Sequence, residues 1–200
     1  FLQTIGRNIE KTNQLIQDLT EISRIETGKL NVEPAPISFA TVVSESVEAV
    51  RGMYDEKEIA LHVDLPADLT PVMGDHHRLV QVLTNLLSNA CKYSPAGADV
   101  YVSVCDEVAD EARRPPQAVI YCAVRDTGCG ISEADQDRLF TKFFRSANPD
   151  VQAAPGTGLG LSITRGIVEL HGGEIWFDSA LGEGTTFHFT VPQAAYRETN

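Results

Sequence analysis

The chain opens on an unbroken helical apolar period that ends near residue 28, where stretches of period two first enter, and that change restricts the folds open to it. Leu2, Ile5, Ile9, Thr12, Ile16 and Leu19 recur in alternating steps of three and four, the seam of a long helix that packs against other helices. Ile22 and Ile25 continue the face with a slight drift, and Gly28 supplies the left-handed stop expected just past a helix end. Residues 1–28 are therefore predicted to form one coiled-coil-like helical arm whose stripe requires a partner. From residue 29 the period is two. Ile59, Leu61, Val63 and Leu65 alternate with His62 and Asp64, and Val100, Val102 and Val104 with Tyr101 and Ser103, the pattern of half-buried strands. Further strands are expected at 118–126 and 174–178, and Phe187, Phe189 and Val191 mark a last one after the Gly182-Glu183-Gly184 turn. Helical patterns occupy 38–53, 75–93 and 160–171. Residues 29–197 thus read as an α/β two-layer sandwich, a sheet with helices on one face, with 198–200 as a tail. The stretch DEVADEARRPPQ, 106–117, is expected to be an exposed loop.

Composition narrows the function. A chain of 200 residues with 42% hydrophobic content can bury one sizeable core. A net charge of -12 and the lack of clustered Lys and Arg argue against a nucleic-acid surface, so any phosphate must be held locally. Cys91, Cys105, Cys122 and Cys129 lack paired metal-ligand spacing and are expected to be buried, reduced thiols of a cytoplasmic protein. No run reaches the roughly 18 apolar residues of a membrane span, so no membrane contact is expected of this segment, although a longer parent could be anchored in the inner membrane.

Three stretches carry chemistry. In NLLSNACKYSP, 85–95, Asn85 and Asn89 lie one turn apart on a helix that also packs Leu79, Val82, Leu83, Leu86 and Leu87. Their amides fit either a satisfied core or neutral oxygen ligands beside phosphate, where a carboxylate would add like charge. Lys92 on the adjacent face can meet phosphates, and Tyr93 offers an aromatic edge. In VIYCAVRDTGCGI, Asp126 has the parity of buried Ile120, Cys122 and Val124, so its carboxylate must find donors or a pocket. Gly128 and Gly130 would let the backbone approach something flat; adenine, whose exocyclic amine donates, suits a carboxylate where guanine would present an oxygen. Taken alone, this segment also fits an ordinary strand exit. In PGTGLGLSITRGIVELHGG, Gly156, Gly158 and Gly160 precede an amphipathic helix, a backbone that can cradle anions. It is neither a Walker loop nor a dinucleotide fingerprint. The preceding SANPDVQAA, 146–154, suits a flap over a ligand.

In this order, DHHRLVQVLTNLLSNACKYSP, DTGCGI, LFTKFFR, GTGLGLSI and GEGTTFHFTVP resemble the N box, first glycine box, F box, second glycine box and terminal motif of the ATP-binding catalytic domain of two-component sensor histidine kinases. The resemblance implies a Bergerat-type ATP-binding fold with a mixed sheet, ATP and Mg²⁺ as cofactors, and Asn85 and Asn89 near the metal. It also implies Asn85 and Lys92 as catalytic groups, and nucleotide contacts from Asn89, Lys92, Tyr93, Asp126, Gly128, Gly130, Ile131, Phe140, Arg145, Gly156, Thr157, Gly158, Leu159, Gly160, Leu161 and Thr186. Phe140 and Phe143 read as apolar residues packing under the lid.

FLQTIGRNIEKTNQLIQDLTEISRIETGKL is similar to the second helix of the family's dimerisation and phosphotransfer hairpin, which implies homodimerisation in the parent and a response-regulator receiver domain as partner. The first helix, with its phosphoacceptor histidine, is missing from the sequence. His62, His76, His77, His171 and His188 match no acceptor motif and are expected to be solvated or capping. ATP-hydrolysing relatives carry a glutamate where this chain has Asn85, and an amide is a poor base at neutral pH, so transfer to a side chain is favoured over hydrolysis. A degenerate, non-catalytic nucleotide-binding module is the competing reading, and the intact set of site residues argues against it.

Overall fold

The computed structural model describes residues 2–109 and 117–194. Helix α1, Leu2–Glu26, ends before Gly28, whose φ is +63°, and the backbone doubles back as Lys29 N–H donates to the Arg24 carbonyl. Strand β1, Ala35–Ile37, leads into α2, Phe39–Glu56, then β2, Ala60–Asp64, and β3, Val72–Gly74. Asp75 begins α3, His76–Tyr93, as an N-cap that accepts from Arg78 N–H. Strands β4, Asp99–Ala109, and β5, Gln117–Asp126, precede two short helices, α4, Glu133–Gln136, and α5, Pro149–Ala153. Helix α6, Gly160–Leu170, and strands β6, Ile175–Ala180, and β7, Gly184–Pro192, complete the order.

Five strands form one mixed sheet in the order β2-β4-β5-β7-β6, with β2 parallel to β4 and the other pairs antiparallel. Val100, Val102, Ile120, Cys122, Val124, Phe187 and Phe189 project from one face. Against them pack Val42, Val43 and Val50 of α2, Leu79, Leu83, Leu86 and Leu87 of α3, and Ile163 and Ile167 of α6. A fully buried leucine or valine contributes roughly 1.5–3 kcal/mol, so this single interface accounts for the two-layer architecture.

Several expectations are corrected. The pair β1 and β3, Ala35↔Gly74 through Ile37↔Val72, forms a second small sheet that no alternation announced, because each strand has three residues. The loop expected at 106–117 begins later: residues 106–109 extend β4 and Gln117 opens β5, while 110–116 lie outside the described residues, as does the tail. Edge strand β2 is barely covered, with Val63 exposed. Cys91 and Cys122 are buried as expected, but Cys105 is exposed because the register sets it opposite Tyr121 on the face without helices.

Two histidines are not solvated: His188 departs from the expectation, whereas His171 takes its capping alternative. His188 is enclosed by Trp176, stacked at 5.3 Å, and by Tyr121, whose hydroxyl lies against Nδ1. His171 is buried at the end of α6; its Nδ1 donates to the Ile167 carbonyl at 2.8 Å and its Nε2 accepts from Asp75 N–H at 2.9 Å. One neutral imidazole thereby ties the end of α6 to the start of α3.

The arm is half docked. Ile22 is buried, and Ile25 packs so closely on Gly166 of α6 that a Cβ there would lie 2.8 Å from Ile25 Cγ2. Glu21 pairs with Arg78 and accepts from Gln81, and Glu26 pairs with Lys142. Ile9, Ile16 and Leu19 face outward, exposed by 46–57%.

Candidate nucleotide-binding site

A cleft of about 680 Å³ opens between α3, the turn that leaves β5, and the glycine-rich segment that enters α6. Helix α3 is amphipathic: Leu79, Leu83, Leu86 and Leu87 point into the core, which turns Asn85, Ser88, Asn89 and Lys92 to the cleft. Asn85 Nδ2 donates to Thr164 Oγ1 on α6 at 2.7 Å. Its amide oxygen lies so near the first residue of α6 that a Cβ on Gly160 would sit 2.7 Å from it, which is why a glycine begins that helix.

Asp126, at the end of β5, is 7% exposed. Its Oδ1 accepts from Gly128 N–H at 2.9 Å and Thr185 N–H at 3.2 Å. Both bonds fall on one oxygen, which leaves Oδ2 as the acceptor toward the cleft that Asp126 lines. Burial raises the carboxyl pKa, and the two N–H donors oppose that rise. The turn beyond is tight: Gly130 has φ +64°, and a Cβ would lie 1.9 Å from the Ala180 carbonyl.

Lys92 and Tyr93 form the end wall. Burial lowers the Lys92 pKa and the Arg145 guanidinium lowers it further, while burial raises that of the Tyr93 phenol. The expected flap contains α5, and Arg145 holds it down by donating from Nη2 to the Val151 and Ala154 carbonyls. On the other side of the cleft, Asp18 of α1 is 8% exposed, accepts from Thr157 Oγ1 at 2.8 Å and from Gln14 Nε2 at 2.7 Å, and lines the same cavity.

Asn85, Asn89, Lys92, Tyr93, Asp126, Gly130, Ile131, Arg145, Gly156, Thr157, Gly158, Gly160 and Leu161 all line the cleft. Gly128, Phe140, Leu159 and Thr186 do not. Gly128 acts through its N–H on Asp126, and Leu159 is fully buried, its N–H donating to Thr157 Oγ1. Phe140 packs on Phe177 at 5.9 Å, and Phe143, expected under the lid, is 59% exposed with φ +61°. Leu139 and Phe144 reach the cleft instead. Thr186 pairs with Arg125 and Asp178 on the open face, so its neighbour Thr185 shares the face of Asp126. The burial of Phe187, Phe189 and Val191 already implied that parity. Gln14 and Asp18 carried no such signal, since only the docking of α1 brings them here. His77 is the one histidine among the cleft residues.

Among the described residues no group of His, Cys, Asp and Glu could hold a metal ion, and no helix is long and apolar enough to cross a membrane. The cleft offers the neutral amides of Asn85 and Asn89, whose oxygens suit a hard cation that brings its own phosphate oxygens, and Lys92, which suits the phosphates.

A mixed sheet covered on one face, with a carboxylate, an amide pair and a glycine-rich helix entry around one cleft, defines a two-layer nucleotide-binding domain. The chain belongs to the histidine kinase-, DNA gyrase B-, and HSP90-like ATPase family, which matches residues 74–195. It is 36% identical over 179 residues to the adaptive-response sensory kinase SasA of Thermosynechococcus vestitus, covering 90% of this chain and 44% of the relative. The histidine kinase AdeS of Acinetobacter baumannii superposes with a TM-score of 0.75 at 26% identity, covering 96% of this chain and 83% of AdeS. Full-length ShkA in complex with AMPPNP gives 0.76 at 25% identity, covering 96% of this chain and 38% of ShkA. Residues 74–195 are thus an ATP-binding catalytic domain of the sensor histidine kinase type, and the chain spans less than half the length of SasA.

Proposed function

We propose that the cleft binds ATP with Mg²⁺ and presents the γ-phosphate to a histidine on a helix of the parent's dimerisation hairpin, for relay to a response-regulator aspartate. In this reading 1–28 is the second helix of that hairpin, 29–197 the catalytic domain and 198–200 a tail, in a cytoplasmic part of a homodimeric parent. The observation that carries the reading is Asp126: a buried carboxylate with one oxygen saturated by backbone and the other free to accept from an exocyclic amine.

Around that anchor the roles follow from position. Tyr93 and Ile131 flank the base, while Lys92, with the backbone N–H groups of the cleft-lining Gly156, Gly158 and Gly160, meets the phosphates. Asn89 and Asn85 supply the amide oxygens that would hold Mg²⁺, which neutralises charge on the phosphates when bound. Arg145 keeps the flap over the site, excluding water. Asn85 cannot take a proton from water at neutral pH, and its amide nitrogen is committed to Thr164, so the site favours positioning over hydrolysis.

Calorimetric titration with ATP and GTP tests the reading. ATP should bind and GTP should bind much more weakly. Asp126→Ala removes a hydrogen bond to a charged group, about 1.5–3 kcal/mol, and should weaken ATP about 10- to 100-fold. A variant that binds ATP as tightly as the parent would refute the adenine assignment.

A further inference from the structure

Helix α3 ends at Ser94, whose φ of -87° and ψ of 149° leave the helical region, and Pro95 follows. Proline has no N–H, so the Cys91 carbonyl, four residues earlier, loses its helical donor. The carbonyls of Lys92 and Ser94 face the same deficit. All three are met by one side chain from another element. Lys57, at the C-terminal end of α2, donates from Nζ to Cys91 O at 2.8 Å, Lys92 O at 3.0 Å and Ser94 O at 2.6 Å. An ammonium has three donors, and each is used. Its charge also sits at the negative end of the α3 dipole.

The remaining carbonyl of this turn, that of Tyr93, accepts from Cys129 N–H at 3.3 Å, in the turn that follows Asp126. Lys57 is held in its turn by Gly97 N–H, which donates to its carbonyl at 3.1 Å. The end of α3 is therefore gripped from two sides, and Lys92 and Tyr93 are the residues it carries into the cleft. Lys57 is not a cleft residue.

We infer that Lys57 is a positioning residue for the nucleotide site: by capping the last turn of α3 it aims Lys92 at the phosphates. The inference rests on the ATP reading above and assigns to Lys57 a role in affinity beyond its contribution to the fold. An uncapped turn would unwind toward Pro95, and the lysine it carries would lose its direction toward the phosphates.

ATP and adenosine titrated into the chain, Lys57→Met and Lys57→Arg, at a temperature where circular dichroism shows each folded, test it. Lys57→Met should weaken ATP about tenfold and adenosine less than about threefold, because adenosine has no phosphate for Lys92 to meet. Lys57→Arg should recover most of the ATP affinity. On a Lys92→Ala background the same Lys57→Met change should alter ATP binding less than about twofold, since coupled residues are not additive. If Lys57→Met does not fold, Lys57→Gln carries the same comparison. Unchanged ATP affinity, equal losses of ATP and adenosine, or an undiminished loss on the Lys92→Ala background would overturn the inference while leaving the ATP site standing. A parent chain that binds no ATP would overturn both.

Discussion

Lys92 gives the site a pH dependence with a definite sign. Burial lowers its pKa from the ordinary lysine value of 10.5, and the Arg145 guanidinium lowers it further, so the unliganded cleft disfavours the charge that a triphosphate would favour. Binding ATP should draw a proton onto Lys92. ATP affinity is then full while Lys92 is protonated and declines as pH rises through the lowered pKa. Stability responds oppositely: in that window the unfolded chain holds more protons than the folded one, so this lysine's contribution grows with rising pH and is lost as pH falls through the folded pKa. Calorimetric ATP titrations from neutral to alkaline pH should show a slope in the parent that Lys92→Met flattens. Identical slopes in the two proteins would remove Lys92 from the phosphates.

At the scale of elements, α1 is both an arm and a wall of the cleft. Its outer stripe, with Ile9, Ile16 and Leu19, was legible from a helical period alone, as was Gly28 at its end. The inner contacts of Asp18 and Glu21 were not, because a polar residue on a helix gives no sign of which tertiary neighbour it will meet. Asp18 sets a buried negative charge in the cavity where the triphosphate would lie. Like charges in a partly buried site repel by about 1 kcal/mol or more even at roughly 10 Å. Asp18→Asn retains an acceptor for Thr157 and removes the charge, so it should tighten ATP binding by about threefold or more, measured by calorimetry at low salt. Weaker or unchanged binding would show that Asp18 serves the loop rather than opposing the phosphates. Elsewhere the apolar pattern sufficed where it was long, as in α3 and β5. It failed where three-residue strands pair only in the folded chain, and where one residue of register separates Thr186 from Thr185.

At the scale of the molecule, an acidic chain of net charge -12 must bind a polyanion by local means. The cleft supplies them: a lysine at the end of a capped helix, backbone N–H groups at a glycine-rich helix entry, and neutral amides rather than carboxylates on α3. Asn85 on α3 is an amide and cannot act as a base toward water, so the proposed chemistry is delivery of phosphate to an acceptor that another helix supplies. Incubation of the chain with γ-labelled ATP, Mg²⁺ and a separate polypeptide carrying a hairpin helix with its histidine tests this directly. Label should appear on that polypeptide that survives alkali and is lost in acid, as a phosphoramidate should be, with little phosphate release without the acceptor. Acid-stable label on the chain itself, or rapid phosphate release in the absence of any acceptor, would contradict this chemistry.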